Sequence, residues 1–195
     1  MAMDSSNMNL PLPTVLDTQQ IYSGKIIQVR KDTILEQNRQ ATREVVQHCA
    51  ASCILPVDSD GNVYIERQYR HGVGRFVVEL PAGKVDEGET PEACAVRELA
   101  EEIGAVCSDL IYFGPMLVSP AYCSEIIHLY AAKIDAFLPP HPDDGEFIEV
   151  DKIPFTDLLQ LIDEQQITDA KTVMLALKYA RAVAAGQGFD VSVKG

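Results

Sequence analysis

GKVDEGETPEACAVRELAEEIGA, residues 83–105, is the stretch on which the reading of the whole chain turns. Its last third crowds Glu98, Glu101 and Glu102 beside Arg97. Thr90 is a good N-cap, Pro91 suits the first helical position and Gly104 suits the residue just past a helix end, so the spacing predicts a helix over 91–103. At 100° per residue, Val96, Leu99 and Ile103 are expected on an apolar arc flanked by Ala95 and Ala100. Arg97, Glu98, Glu101 and Glu102 are expected on the opposite arc. Glu98 and Glu102 are i,i+4 neighbours and Glu101 lies one turn from Glu98, so the carboxylates repel one another. Two readings follow. One is a solvated acidic face with Arg97 as internal relief. The other is a hard-cation site, since Mg²⁺ takes oxygen ligands and is held by one or two carboxylates together with substrate phosphates.

The rest of the composition narrows the classes. The chain has 195 residues, 47% hydrophobic and 23% charged, with a formal net charge of -13. That suits one domain with an appendage, or two small domains, with enough apolar residues for a sizeable core. No apolar run approaches the ~20 residues needed to cross a bilayer, and no membrane partner is expected. MAMDSSNMNLPLPT at the start has neither a basic nor an apolar signal region, so no secretory leader is expected. Cys49, Cys53, Cys94, Cys107 and Cys123 form no CxxC pair and are odd in number, which points to reduced thiols and a cytoplasmic location. The acidic balance argues against a nucleic-acid partner, because nothing would neutralise many phosphates. A small anionic ligand remains open if cations intervene.

Residues 1–18 are polar and Pro-punctuated and are expected to form a flexible arm. IYSGKIIQVRKDTIL and ATREVVQHCAASCILPV, rich in β-branched residues, predict strands, with residues 19–50 as an N-terminal β region. DSDGN (58–62) is a turn signal, so 51–70 is expected to be a β-hairpin. FVVELPAG, LIYFGPMLV and EIIHLYAAKI predict further strands, and PPHPDDGE a loop. Two helices are expected over about 155–165 and 168–185, with residues 187–195 as a tail. Strands and helices without regular alternation give an α+β class.

Gly83, five residues, Glu89, seven residues, then Arg97-Glu98-Leu99-x-Glu101-Glu102-x-Gly104 resembles the signature of the Nudix hydrolases, with every fixed position matched. Ala105, at a position that usually holds a bulky aliphatic, is the one departure. The resemblance implies a Nudix fold, a mixed β-sheet sandwiched between helices, here with an N-terminal antiparallel β arm and a core domain over 51–186. It implies hydrolysis of a nucleoside diphosphate linked to another moiety, with Mg²⁺ as cofactor and Mn²⁺ able to substitute. Glu98 and Glu102 match the principal metal ligands, with Glu101 assisting and the carbonyl of Ala82 as a further ligand. Glu89 and Arg97 match a structural pair.

Outside that box, REVV (43–46), RQYR (67–70), ELPAGK (79–84) and SPAYCSE (119–125) resemble the ADP-ribose and nucleoside-diphosphate-sugar pyrophosphatase branch. Ala121 and Tyr122 replace the residues usual in the last piece. The branch implies Arg70 on the diphosphate, with Glu79 and Glu125 also at the substrate. It also implies a homodimer with exchanged N-terminal strands, across which Arg43 reaches the partner's substrate. Tyr22 is either a base-stacking ring or a core aromatic. The acidic loop HPDDGEFIEV (141–150) implies a base or extra metal ligand at Glu146, with Asp144 as alternative and Glu125 third. Competing readings are another Nudix substrate, such as GDP-mannose, a dinucleoside polyphosphate or an oxidised nucleoside triphosphate, or a nucleotide-binding regulator without turnover.

Overall fold

The computed structural model describes residues 11–141 and 147–189. It divides into two compact units, Met1–His48 with Ser119–Glu125, and Cys49–Val118 with Ile126–Gly195.

The first unit is a three-stranded antiparallel sheet of β1 (Thr14–Ser23), β2 (Gln28–Glu36) and β3 (Arg39–Gln47), in that order. Gln37 and Asn38, with φ of 48° and 60°, make the two-residue turn between β2 and β3, a geometry that matches the twist of the paired strands. The expected arm through residue 18 ends earlier. β1 begins at Thr14, opposite Leu35, and Thr18 Oγ1 donates to Asp32 Oδ1 at 2.9 Å. The loop Ser119–Glu125 belongs to this unit. Val46 N donates to Tyr122 O at 2.7 Å, and Ser124 N donates to Val46 O at 3.0 Å.

The second unit holds β4 (Ala51–Val57), β5 (Asn62–Arg70), β6 (Arg75–Glu79), β7 (Ala82–Lys84), α1 (Pro91–Ile103), β8 (Ala105–Leu117), β9 (Ile126–Phe137), β10 (Ile148–Pro154), α2 (Phe155–Asp163) and α3 (Ala170–Ala184). The sheet runs β10-β5-β4-β9-β8 and is mixed, because β4 lies parallel to β9. Every residue of β4 is buried. Successive strand side chains point to opposite faces. Cys53, Leu55 and Val57 therefore pack with Leu158 of α2 and Leu175, Ala176 and Tyr179 of α3, while Ile54 packs with Ala95, Leu99 and Ile103 of α1. The sheet is thus sandwiched between α1 on one face and α2 with α3 on the other. Phe189, in the expected C-terminal tail, is buried against Tyr179 with ring centroids 6.0 Å apart.

The expected hairpin over 51–70 forms only at its base, where Val57 pairs with Val63. Beyond that pair β4 and β5 splay, β6 pairing with β5 and β7 with β4. Residues 79–82 cross the gap, and Pro81 O accepts from Ile54 N at 2.9 Å. The partner of β4 is set by apolar contacts distant in sequence, which the local turn signal does not encode.

Helix α1 has the expected ends and a different buried face. Cys94, Ala95, Leu99, Glu102 and Ile103 are buried, and Val96 is exposed. On a 100°-per-residue wheel Glu102 falls about 20° from Ala95, inside the apolar arc rather than opposite it.

Candidate active site

Thr90 Oγ1 accepts from Ala93 N at 3.2 Å and starts α1, while Gly104 stops it at a φ of 67°. The start is also fixed to β4, where Ser52 Oγ donates to Pro91 O at 2.6 Å. From this frame Arg97 gathers the acidic groups. Its Nε and Nη2 hold the two oxygens of Glu89, each at 2.9 Å. Nη1 donates to Glu98 Oε1 at 2.8 Å and Glu101 Oε2 at 2.9 Å, and Nη2 also donates to Lys84 O at 2.9 Å. Glu89 and Arg97 thus pair as expected. The Arg97 hydrogen bond, helped by the Asp86 backbone N–H, lowers the Glu89 carboxyl from 4.5 to about 2.

Two of the box carboxylates, Glu98 and Glu102, meet the backbone of residues 82 and 83. Glu102 Oε2 accepts from Ala82 N at 3.1 Å. Glu98 lies over Gly83 so closely that a Cβ there would overlap its carboxylate. Only glycine admits that approach.

Beneath them, in the splay between β4 and β5, lie two acids absent from the box. Glu66 and Glu79 stand directly opposite each other in the β5–β6 register and are 2% and 1% exposed. Like charges so placed repel. The two are settled differently. Glu79 Oε1 accepts from Arg70 Nε at 2.7 Å, and Lys171 Nζ donates to Glu79 Oε2. Burial pushes the Glu66 carboxyl up to about 8. Glu66 also hydrogen-bonds Glu102, while its Oε1 has no partner among the described residues. Burial works against a charge on Lys171, and the Asp169 and Glu79 carboxylates outweigh it, so its pKa stands above the ordinary lysine value.

Among the described residues no three His, Cys, Asp or Glu side chains form a ready ligand set. Arg97 instead holds Glu98 and Glu101. The donors nevertheless fit a hard divalent cation: carboxylates and a backbone carbonyl, a glycine cradle under one carboxylate, and an unpartnered buried oxygen on Glu66.

The structure brings Ala82, Glu98, Glu101 and Glu102 together, with Arg70 nearby through Glu79. Glu79, expected at the substrate, is 1% exposed and bonds both Arg70 Nε and Lys171 Nζ. In the N-terminal unit, Arg43 Nη2 pairs with Glu36 at 2.7 Å, and Glu125 faces His48 Nδ1 at 3.4 Å. Tyr22 is exposed, not core. Asp144 and Glu146 lie outside the described residues. Sequence reasoning missed Glu66 and Lys171. A signal existed for the second: Lys171, Leu175 and Tyr179 recur every four residues on the buried stripe of α3.

Comparison with known proteins adds four findings. The family profile described as the NUDIX domain matches residues 46–175. The chain is 35% identical over 164 residues to the ADP-ribose pyrophosphatase of Bacillus subtilis (strain 168), covering 83% of this chain and 88% of that protein. It is 34% identical over 167 residues to the methanol dehydrogenase activator of Bacillus methanolicus, covering 84% and 90%. A crystal structure of an ADP compounds hydrolase superposes with a TM-score of 0.81 over 92% of this chain and 97% of that one, at 22% identity, which establishes likeness of fold.

Proposed function

The chain belongs to the Nudix family and is a Nudix pyrophosphohydrolase, and on that footing we propose that it hydrolyses the diphosphate bond of ADP-ribose or a related nucleoside diphosphate sugar. Water adds across the P–O–P bridge, giving from ADP-ribose AMP and ribose 5-phosphate. The observation that carries this reading is the closure of Glu98 and Glu102 on the Ala82–Gly83 backbone, with the half-exposed Arg70 joined to the same segment through Glu79. The likeness to an ADP-ribose pyrophosphatase supports the choice of substrate.

Glu98, Glu102 and the Ala82 carbonyl would hold Mg²⁺ or Mn²⁺, with Glu146 as a further ligand. When bound, such a cation neutralises charge on the diphosphate and lowers the pKa of an attacking water. Arg97 keeps Glu98 and Glu101 oriented. Arg70 Nη1 and Nη2 make no hydrogen bond to protein among the described residues, which leaves a planar fork for phosphate oxygens. Glu146 takes the proton from water, with Asp144 as its alternative. Glu125 is the weaker third candidate, since it is engaged by His48.

The protein works in this reading as a cytoplasmic homodimer. Five free cysteines support the location. Strand β1, exposed at every residue and carrying Val15, Leu16, Ile21 and Tyr22, supports pairing through the N-terminal unit, with Arg43 offered to the partner's substrate. The test is a panel of nucleoside diphosphate derivatives in millimolar Mg²⁺, with products resolved by chromatography. AMP and ribose 5-phosphate from ADP-ribose are expected. No turnover of any diphosphate-linked nucleotide would refute the reading, and a clear preference for GDP-mannose would move it to another Nudix substrate.

A further inference from the structure

Helix α3 contributes nothing to the acidic box, yet its first turn reaches into the gap between β4 and β5. Lys171 is 9% exposed, and its amine bonds Glu79 Oε2 and, at 3.0 Å, Asp169 Oδ2. Asp169 is the N-cap of α3 and also accepts from Thr172 N at 3.1 Å, so the amine is anchored to a fixed turn. A cation in the first turn opposes the helix dipole and is unfavourable there without a partner. Its partner is Glu79, whose other oxygen holds Arg70 Nε at 2.7 Å. One carboxylate thus separates an inner cation from an outer one. The inner cation is buried, and the outer side chain is 43% exposed.

We propose that Lys171 is a positioning residue for Arg70. By occupying Glu79 from within, it fixes the carboxylate plane, which aims the guanidinium outward and leaves Nη1 and Nη2 for an anionic ligand. It also shares the neutralisation of Glu79, so Arg70 is not its sole counter-ion and keeps positive charge for the ligand. Without Lys171, Glu79 draws Arg70 inward. This inference rests on the reading of Arg70 as a diphosphate contact.

The experiment is a double-mutant cycle on the full chain, with ADP-ribose and Mg²⁺ as the probe and thermal unfolding as the control of fold. Lys171→Met keeps the aliphatic stem and removes the amine. It is expected to raise KM roughly tenfold with kcat within about twofold, the pattern of a contact made equally in ground and transition states. In an Arg70→Ala background it should raise KM no further, because the effect runs through Arg70. A purely structural lysine would instead add its effect to that of Arg70→Ala. Lys171→Arg, which keeps the charge, should restore most of the affinity. Should Lys171→Met not fold, Lys171→Gln, which keeps a hydrogen-bond donor toward Glu79 without the charge, is expected to raise KM by a smaller factor with the same dependence on Arg70. An unchanged KM in a folded, active variant, or additive effects of Lys171 and Arg70, would overturn the role of Lys171 alone. Absence of ADP-ribose turnover by the wild-type chain would overturn the reading of the site and this inference with it.

Discussion

Gly83→Ala separates the shape of the site from the stability of the fold. Gly83 does not have a positive φ, so alanine meets no backbone strain there. The obstacle is the Glu98 carboxylate, which overlaps the position of the new Cβ and must retreat by more than an ångström to reach ordinary contact at about 3.4 Å. That carboxylate ends a flexible side chain, so the retreat costs little, and stability should change by less than about 1 kcal/mol. Catalysis is less forgiving, since a misplacement of about 1 Å costs on the order of 10²-fold in rate. The assay is kcat at saturating ADP-ribose across a Mg²⁺ titration, beside a thermal melt in EDTA. A wild-type melt with kcat down about 100-fold is expected. Wild-type kcat at low Mg²⁺ would refute the assignment of Glu98. A collapsed melt would refute the claim that the cradle serves catalysis rather than folding.

Two further perturbations test other parts of the fold. The folded-state carboxyl of Glu89 lies at about 2 against an ordinary 4.5, so the stability it adds is complete above 4.5 and drains away as pH falls through 2. Glu89→Gln should therefore flatten the fall of Tm between those values, and a melt-versus-pH curve as steep as wild type would contradict the Arg97 pairing. Phe189→Ala opens a cavity against Tyr179 and should cost about 3 kcal/mol, lowering Tm by roughly 6–12 °C in calorimetry. A loss under about 1 kcal/mol would mean that residues after α3 do not seal the core.

The ends of α1 were legible because caps are local: Thr90, Pro91 and Gly104 each answer a backbone requirement within four residues. Its buried face was legible too, but chemical habit hid it. Placing every carboxylate outside put Glu102 on the wrong arc, although its angle beside Ala95 is fixed by helix geometry. The splay of β4 from β5 was not legible, because the DSDGN turn specifies only where the strands begin to part. Glu66 gave no signal for the same reason. It follows the buried Ile65 in strand sequence, breaking alternation, and its neighbours Glu79 and Glu102 come from elements brought near only by the fold. The substrate is read from RQYR, ELPAGK and SPAYCSE by resemblance, since no spacing rule in those pieces names a base or a sugar.

Arg97 has a consequence for the life of the chain outside catalysis. Bonded at once to Glu89, Glu98, Glu101 and the Lys84 carbonyl, it lets a crowded acidic turn fold with its own counter-charge in place. The helix therefore owes its form to the polypeptide rather than to the supply of an ion. If the box carries the proposed cation, a chelator is expected to silence turnover while leaving the melt of the chain in place. Adding the cation back is then expected to return activity without a refolding step.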